Sequence, residues 1–382
     1  MTTNTTLESL DTPSLLLDET RLAANVAKLR AHLAPLGVEF RPHMKTAKSI
    51  DVARRVMDRP DGPITVSTLK EAEEFAAGGV RDILYAVGLA PGKLDRITAL
   101  RRKGVDLSII VDSTEAAVAV AAHATATGDA IPTLIEIDSD GHRAGIRRSQ
   151  AGLLIEIGRI LHQRGAALRG IVTHAGESYH CHGTEALAAM AEQERAEAVG
   201  CAELLRAAGL PAPVVSVGST PTAYFVRDLT GVTEVRAGVF MFCDLFMTGI
   251  GVCRTDDIAL SVLATVIGRT PERGWVIVDA GWMAMSGDRG TRNQPVDQFF
   301  GVVCDLDGKL YPDIVMIKAN QEQGIIAARP GTEARLPDLG IGAKLRILPN
   351  HACATGAQHD RYHVVRGAAH AVEAVWPRFG GW

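Results

Sequence analysis

Two side chains that could bind a metal lie close together near residue 350. His351 and Cys353 are separated by one alanine in the segment LPNHAC at 348–353. On an extended chain, residues i and i+2 face the same side, so both side chains could contact one ion. Imidazole and thiolate favour zinc or another borderline-soft ion, and two protein ligands leave coordination positions for water and substrate. A chance His-x-Cys pair is the alternative.

A second reactive group is Lys45, which ends the segment RPHMK at 41–45 and follows a short strand-like run. If that strand belongs to a barrel, the lysine points at the barrel mouth, where active sites of such folds lie. Apolar and cationic neighbours would favour its neutral amine, as the formation of a Schiff base requires. The alternative is an ordinary solvated surface lysine.

His174 and Arg143 follow two later strand candidates. His174 lies in VTHAG at 172–176, and its flat ring could stack on an aromatic cofactor or could be a hydrogen-bonded core residue. Arg143 ends the segment DSDGHR, whose acidic residues lack the glutamate that a calcium loop needs. We expect those acids to form turns, which leaves Arg143 able to reach the site.

Small and hydroxyl-bearing residues lie after the seventh strand candidate of this series and at the end of the eighth. They are GST at 218–220 and RAGV at 236–239. Free backbone N–H groups and hydroxyls at a helix start suit a phosphate, and barrels often bind phosphate at these two loops. An ordinary helix N-cap is the alternative for the GST segment.

The elements that would position these residues alternate between short apolar runs and longer helical stretches. Eight runs are predicted as strands, at 38–41, 64–67, 83–87, 107–111, 133–137, 170–173, 214–217 and 234–239. Runs of Val, Ile and Leu without strict alternation indicate strands buried on both faces of a parallel sheet. Eight β/α units in series favour an α/β fold with a TIM-type (β/α)8 barrel, and a doubly wound open sheet is the alternative.

The pattern changes after about residue 253. Strand-like runs at 258–267, 274–279, 300–306, 314–320 and 343–348 are separated by turns, and the helical signal nearly vanishes. A β-rich C-terminal domain is therefore predicted.

Composition excludes several classes of protein. The chain has 382 residues, a formal net charge of −4 (40 − 44), and no basic stripe, so a nucleic-acid partner is not expected. It contains no apolar run of membrane-spanning length and no secretory signal at its start. Six cysteines without a CxxC pair are typical of thiols in a reducing cytoplasm, which is the location we expect.

Taken together, these segments resemble a known family. Lys45, THAG, GHR-x-G, GST and RAGV are similar to the fold-type III pyridoxal-phosphate enzymes with an alanine-racemase-like barrel. Longer segments resemble the D-serine dehydratase and D-threo-3-hydroxyaspartate dehydratase group, whose nearest relatives are D-threonine aldolases. They are RPHMKT at 41–46, THAGESY at 173–179, GSTPT at 218–222, VDAGWMAMS at 278–286 and NHACATGAQH at 350–359.

The resemblance implies the roles of individual residues. Lys45 would hold pyridoxal 5′-phosphate as a Schiff base and act as the base at Cα, His174 would stack on the pyridine ring, and Arg236 would approach the ring nitrogen. His351 and Cys353 would bind a divalent metal, zinc or alternatively manganese, cobalt or magnesium. The residues expected around the cofactor and its phosphate are Arg143, Tyr179, Ser219, Thr220, Gly238 and Val239.

The resemblance also implies domain limits and an assembly. The cofactor-binding barrel would span residues 25–253, and the β-rich metal-binding domain would span 254–382 together with residues 1–24. A homodimer is expected by analogy with the family.

The expected activity is that of a lyase. A D-3-hydroxy-amino-acid dehydratase (ammonia-lyase) would convert D-threo-3-hydroxyaspartate, or D-serine or D-threonine, to a 2-oxo acid and ammonia. The family's aldolases, which give glycine and an aldehyde, tend to carry His-x-Asp at the metal, so Cys353 favours dehydration and D-threonine aldolase is the alternative.

Two further alternatives are disfavoured by the chain itself. A racemase would need a tyrosine from the second domain, and none of the five tyrosines has a matching context. A non-enzymatic single-barrel protein would lack residues 254–382. Gln323 stands where relatives often carry histidine, so a role for this position is not assigned.

Overall fold

The computed structural model describes residues 5–382 and divides the chain into two compact units. The unit that we call the barrel unit comprises Lys28–Gly238 with Gly381–Trp382. The unit that we call the sheet unit comprises the described residues up to Ala27 and Val239–Gly380. The predicted limits of 25–253 and 254–382 with 1–24 stay a prediction, and residues 1–4 of that assignment lie outside the described residues.

The described chain opens with strand β1 (Ser14–Asp18) and helix α1 (Glu19–Leu33). Within the described residues, the barrel unit then contains eight parallel strands: β2 (Glu39–Pro42), β3 (Ile64–Val66), β4 (Asp82–Tyr85), β5 (Asp106–Val111), β6 (Pro132–Ile137), β7 (Ala167–Thr173), β8 (Val214–Val217) and β9 (Glu234–Ala237). The helices that alternate with them are α2 (Ile50–Val56), α3 (Leu69–Ala77), α4 (Leu94–Arg101), α5 (Thr114–Thr127), α6 (Ala151–Gln163), α7 (Thr184–Ala207) and α8 (Thr220–Phe225).

The strands of the barrel unit follow one another in sequence order around a ring, β2-β9-β8-β7-β6-β5-β4-β3. Between β2 and β3 the ring is joined by a bridge from His43 to Thr65, and Met44 N donates a hydrogen bond to Thr65 O at 2.8 Å. The barrel is therefore nearly closed. The predicted α/β fold with a TIM-type barrel is confirmed, and the doubly wound alternative, whose strand order would reverse, is wrong.

Local sequence explains why these elements form where they do. Every residue of β3 and β9 is buried, as expected for strands covered on both faces. Ser113 caps α5 by accepting a hydrogen bond from Ala116 N at 3.2 Å, and Gly128 ends that helix in the left-handed region (φ 70°). Each of the eight predicted runs overlaps one strand, so the carboxyl ends of the strands carry the residues singled out from the sequence.

The sheet unit is built on a nine-stranded, mostly antiparallel sheet in the part of the chain that the structure describes. The strand order is β11-β14-β13-β12-β15-β10-β1-β16-β17. Its remaining strands are β10 (Leu260–Thr270), β11 (Trp275–Val278), β12 (Val302–Cys304), β13 (Leu310–Ala319), β14 (Gly324–Ala328), β15 (Lys344–Leu348), β16 (Arg361–Val365) and β17 (Ala374–Pro377), and its short helices are α9 (Leu245–Gly249), α10 (Trp282–Met285) and α11 (Ala352–Gly356).

β1 is central to this sheet although it comes from the start of the chain. It pairs with β10 in antiparallel register and with β16 in parallel register, and Leu15, Leu16 and Leu17 are fully buried. The predicted β-rich C-terminal domain is confirmed. The sequence did not predict β1, β14, β16 or β17, because each is a run of four or five residues with no clear period.

The described residues include no helix that is both long enough and apolar enough to cross a membrane.

One charged cluster of the sheet unit has His370 at its centre. His370 Nδ1 contacts Glu8, and its Nε2 lies 2.8 Å from Asp307 Oδ1. The hydrogen bond to Asp307 and the pairing with Glu8 raise the pKa of His370 above its ordinary value. A histidine whose pKa is raised by folding stabilises the folded protein at pH values below its ordinary pKa, near 6.5. That stabilisation is lost as the pH rises through the raised pKa.

We therefore predict that His370→Gln lowers the melting temperature at about pH 6 and has a smaller effect at about pH 9. The effect corresponds to about 1 kcal/mol or less, because the partners are exposed. Thermal unfolding of both proteins across this pH range measures it. A difference that grows with pH would show that the cluster does not stabilise the fold through the charged imidazole.

Candidate active site

Lys45 lies at the carboxyl end of β2, in the loop that also closes the barrel. Its side chain is exposed between the buried Met44 and Thr46. Its positive charge lowers the pKa of both His43 and His174, so the carboxyl ends of β2 and β7 are close together. Lys48, one turn further on, is instead held in an ion pair with Glu71 (3.2 Å). Lys45 is thus the lysine of this loop whose amine is open to react.

His174 is half-buried directly after β7 and is uncharged near neutral pH. Burial, with repulsion from Lys45, lowers the pKa of His174 to about 3. Its Nδ1 lies 3.0 Å from the carbonyl oxygen of Gly218, to which the neutral ring can donate, and the ring centroid of Tyr179 is 6.1 Å away. A neutral ring of fixed orientation beside a second aromatic side chain fits the stacking role expected from the sequence.

Arg236 is held in place by contacts that the sequence did not reveal. One guanidinium nitrogen donates to Ser216 Oγ at 2.5 Å, and another donates to the carbonyl oxygen of Thr173. Ser216 Oγ in turn donates to Glu234 Oε1 at 2.5 Å, and Arg41 Nε donates to the other oxygen of Glu234 at 2.8 Å. The position of this buried guanidinium is therefore set by three neighbouring strands.

The GST loop packs directly on β9. A Cβ atom added to Gly218, whose φ is +132°, would lie 2.1 Å from the carbonyl oxygen of Arg236, so only glycine fits. Ser219 caps α8 by accepting from Thr222 N at 3.2 Å, and its hydroxyl also lies 2.8 Å from Ser178 Oγ. Ser219 is therefore the N-cap of α8, and Thr220 is the first residue of that helix.

Glu194 of α7 joins the two loops that follow β7 and β8. This fully buried carboxylate accepts hydrogen bonds from Ala175 N and Gly218 N, both at 2.9 Å. Burial raises the pKa of Glu194, and hydrogen bonds from the Thr222 side chain and from the two N–H groups oppose that shift. The side chain therefore fixes the residues next to His174 and Ser219.

The remaining predicted cofactor residues lie in three different places. Arg143 is exposed in the loop after β6, where its charge acts on His174. Gly238 follows β9, and a Cβ atom there would lie 3.1 Å from the carbonyl oxygen of His43, next to the Lys45 loop. Val239 is buried and is the residue at which the sheet unit resumes.

The barrel mouth fits an anionic, aromatic cofactor. The positive charges of Lys45, Arg143 and Arg236 all help to lower the pKa of His174, whose ring is neutral. Burial, Lys45 and Arg236 likewise hold the pKa of His43 well below its ordinary value. A lysine and two arginines beside neutral rings suit a phosphate dianion joined to a flat heterocycle.

The predicted metal pair lies in the sheet unit, after β15. His351 is the N-cap of α11 in an extended conformation, and Cys353 belongs to the first turn of that helix. The prediction that both residues lie on an extended chain is therefore wrong, because Cys353 is helical. They nevertheless contact each other, because the helix begins between them and the Cys353 thiol hydrogen-bonds the imidazole.

The imidazole of His351 also contacts a carboxylate that the sequence did not single out. His351 Nδ1 lies 2.8 Å from Asp288 Oδ2. Burial would lower the pKa of His351, but the hydrogen bonds with Asp288 and Cys353 raise it to about 11. Among the described residues, no group of three or more His, Cys, Asp and Glu side chains is arranged to hold a metal. Imidazole and thiolate together still fit a divalent ion that keeps open positions.

Gln323 lies apart from these contacts. It is exposed in the turn between β13 and β14, and its carbonyl oxygen accepts from Asn320 N at 2.8 Å.

Comparison with known proteins identifies the family. The model of "Alanine racemase, N-terminal domain" matches residues 17–245, and that of "Putative serine dehydratase domain" matches residues 259–365. The fold and site thus define the class of fold-type III pyridoxal-phosphate enzymes, and the resemblance stated from the motifs is confirmed. The chain belongs to the alanine racemase N-terminal domain family and carries the serine dehydratase domain behind it.

Three relatives locate the chain within that family. It is 53% identical over 382 residues to the D-threo-3-hydroxyaspartate dehydratase of Delftia sp. (strain HT23), with 99% of each chain covered. A solved D-threo-3-hydroxyaspartate dehydratase, a C353A mutant in the metal-free form, matches with a TM-score of 0.95 and 52% identity over 99% of this chain and 100% of that one. The D-threonine aldolase of Filomicrobium marinum matches with a TM-score of 0.82 and 26% identity over 97% and 96%.

Loss of the Glu194 carboxylate should destabilise the fold. Glu194→Ala leaves two buried N–H groups without their acceptor, so we expect the free energy of unfolding to fall by about 2–4 kcal/mol. Glu194→Gln keeps an accepting oxygen and should lose less. Urea denaturation of the three proteins measures these differences.

Glu197→Ala, on the same helix and only loosely paired with Arg148 (3.8 Å), is the matched control. It should change stability by about 0.5 kcal/mol or less. Equal effects of the alanine substitutions at 194 and 197 would show that the two loops do not depend on the buried carboxylate.

Proposed function

We propose that this protein is a pyridoxal-phosphate- and divalent-metal-dependent lyase that dehydrates D-3-hydroxy amino acids to 2-oxo acids and ammonia. The substrate that we favour is D-threo-3-hydroxyaspartate, with D-serine and D-threonine as further candidates. The observation that carries the proposal is 53% identity, over 99% of both chains, to a D-threo-3-hydroxyaspartate dehydratase. The aldolase alternative is less favoured, since the aldolases that the chain resembles share 26–29% identity with it.

The proposed roles in the barrel unit follow from charge and burial. Pyridoxal phosphate, when bound, supplies an electron sink for negative charge at the substrate Cα. Lys45 would hold the cofactor covalently and take the Cα proton, because its amine is exposed and, among the described residues, is not held in an ion pair like that of Lys48. Because Lys45 would take the Cα proton from one face of the substrate, only one enantiomer would react.

Two side chains at the barrel mouth would orient the cofactor ring. His174, neutral and fixed by Gly218, would stack on its face, and Arg236 would meet the ring nitrogen. An arginine at that position would keep the ring nitrogen unprotonated, which would favour loss of a β-substituent. The groups proposed to surround the cofactor and its phosphate are Arg143, Tyr179, Ser219, Thr220, Gly238 and Val239.

His351 and Cys353 are the proposed metal ligands. A solved relative is a C353A mutant in the metal-free form, and this chain also has a cysteine at its own position 353. The ion, zinc or alternatively manganese, cobalt or magnesium, would act as a Lewis acid that makes the β-hydroxyl a better leaving group. A small-molecule D-amino acid is thus the proposed partner, and we propose a homodimer located in the cytoplasm.

Product analysis tests the proposed reaction. We predict that the cofactor- and metal-loaded protein forms a 2-oxo acid and ammonia from D-threo-3-hydroxyaspartate, D-serine or D-threonine. L-serine is the control and should not react, because one face of the substrate is presented to the base. Glycine and an aldehyde as the main products would replace the dehydratase by the aldolase.

Metal removal tests the second half of the proposal. A chelator should abolish formation of the oxo acid and leave the visible absorbance of the bound cofactor in place, because the ion serves the leaving group. Adding zinc or manganese back should restore turnover. Undiminished turnover by protein shown to be free of metal would exclude the proposed role of the ion.

A further inference from the structure

The carboxylate of Asp288 is fixed on both of its oxygens. Oδ2 lies 2.8 Å from His351 Nδ1, and Oδ1 accepts a hydrogen bond from Gly290 N at 2.7 Å. The backbone N–H of Asp288 donates to Ser286 Oγ at 3.2 Å. The loop therefore presents the carboxylate to the imidazole in one orientation.

Asn350, next to the proposed metal ligand, clamps the loop that carries Asp288. This buried side chain accepts from Thr291 Oγ1 at 2.9 Å and donates to the carbonyl oxygens of Asp288 (3.3 Å) and Phe299. The imidazole and its carboxylate partner are thus joined twice, once through their side chains and once through the residue that precedes His351.

A second carboxylate supports the other side of the turn through the backbone. Asp244 is fully buried, and its Oδ2 accepts from Ala352 N at 3.0 Å while its Oδ1 accepts from Met247 N at 2.9 Å. Asp244 therefore fixes where α11 begins, which brings Cys353 beside His351. It acts on the backbone of the turn, whereas Asp288 acts on the imidazole itself.

We propose that Asp288 is a positioning residue for the metal, an inference that rests on the proposed metal dependence. When Nδ1–H donates to Asp288, the lone pair of the neutral ring is on Nε2, and that nitrogen is the one left to bind the ion. A carboxylate behind a ligating histidine also increases the basicity of the ligand. A site with only two protein ligands depends strongly on the quality of each one.

The test compares metal affinity in proteins that hold the cofactor. Asp288→Asn keeps the size of the side chain and an accepting oxygen but removes the charge. We expect its affinity for zinc, measured by competition with a chromophoric chelator, to fall by about 10–100-fold. Asp288→Glu retains the charge and should recover part of that loss.

Asp297→Asn is the matched control from the same loop. Asp297 is about as exposed as Asp288 (27% against 31%), but its carboxylate pairs with Arg289 at 2.5 Å and not with the imidazole. Its zinc affinity should stay within about threefold of the wild type, since it lies outside the set of groups that support the ligand. Cobalt loading gives a second measurement, because the thiolate-to-cobalt absorption band should persist, shifted, in Asp288→Asn.

The possible results distinguish a failure of the positioning role of Asp288 from a failure of the proposed metal dependence. Wild-type affinity in a folded Asp288→Asn protein, or equal losses in the Asp288→Asn and Asp297→Asn proteins, would overturn the positioning role and leave the metal site standing. If the wild type binds neither zinc nor cobalt, the proposed metal dependence fails, and the inference fails with it. A loss confined to Asp288→Asn, with partial recovery in Asp288→Glu, is the result expected.

Discussion

Charged and hydroxyl side chains of four barrel strands, β2, β4, β8 and β9, pair with one another. From Asp82 the chain of contacts runs through Arg41 to Glu234, and from Glu234 through Ser216 to Arg236, with separations of 2.5–2.8 Å. A buried charge that loses its partner costs several kcal/mol, so each member constrains its neighbours. The placement of Arg236, and with it the proposed contact to the cofactor ring, depends on this chain.

Carboxylates also fix loops that present functional side chains, and they do so in both units. In the barrel unit, Glu194 accepts from two backbone N–H groups beside His174 and Ser219. In the sheet unit, Asp244 accepts from Ala352 N, and Asp288 accepts from the imidazole of His351. Irregular backbone cannot satisfy its own N–H groups as strands and helices do, so a buried carboxylate does so and fixes the loop.

Periodicity and short motifs revealed the fold class and the reactive groups, but not the residues that support them. Lys45, His174 and the His351–Cys353 pair lie in compact segments whose chemistry is visible in a few letters. Asp288 acts on a histidine 63 residues away, and Glu194 acts on backbone 19 and 24 residues away, so no local pattern marks either. The start of α11 between His351 and Cys353 was missed because a helix of five residues has too few positions to show a period.

Covalent trapping of the cofactor tests the central claim that Lys45 is the residue at the barrel mouth that holds it. The cofactor-loaded protein is reduced with borohydride and digested, and the modified peptide is identified by mass spectrometry, with Lys45→Ala as the control. We expect a pyridoxyl group on Lys45 alone and none in the control. A label on Lys48, whose amine is paired with Glu71, or on any other lysine would contradict it.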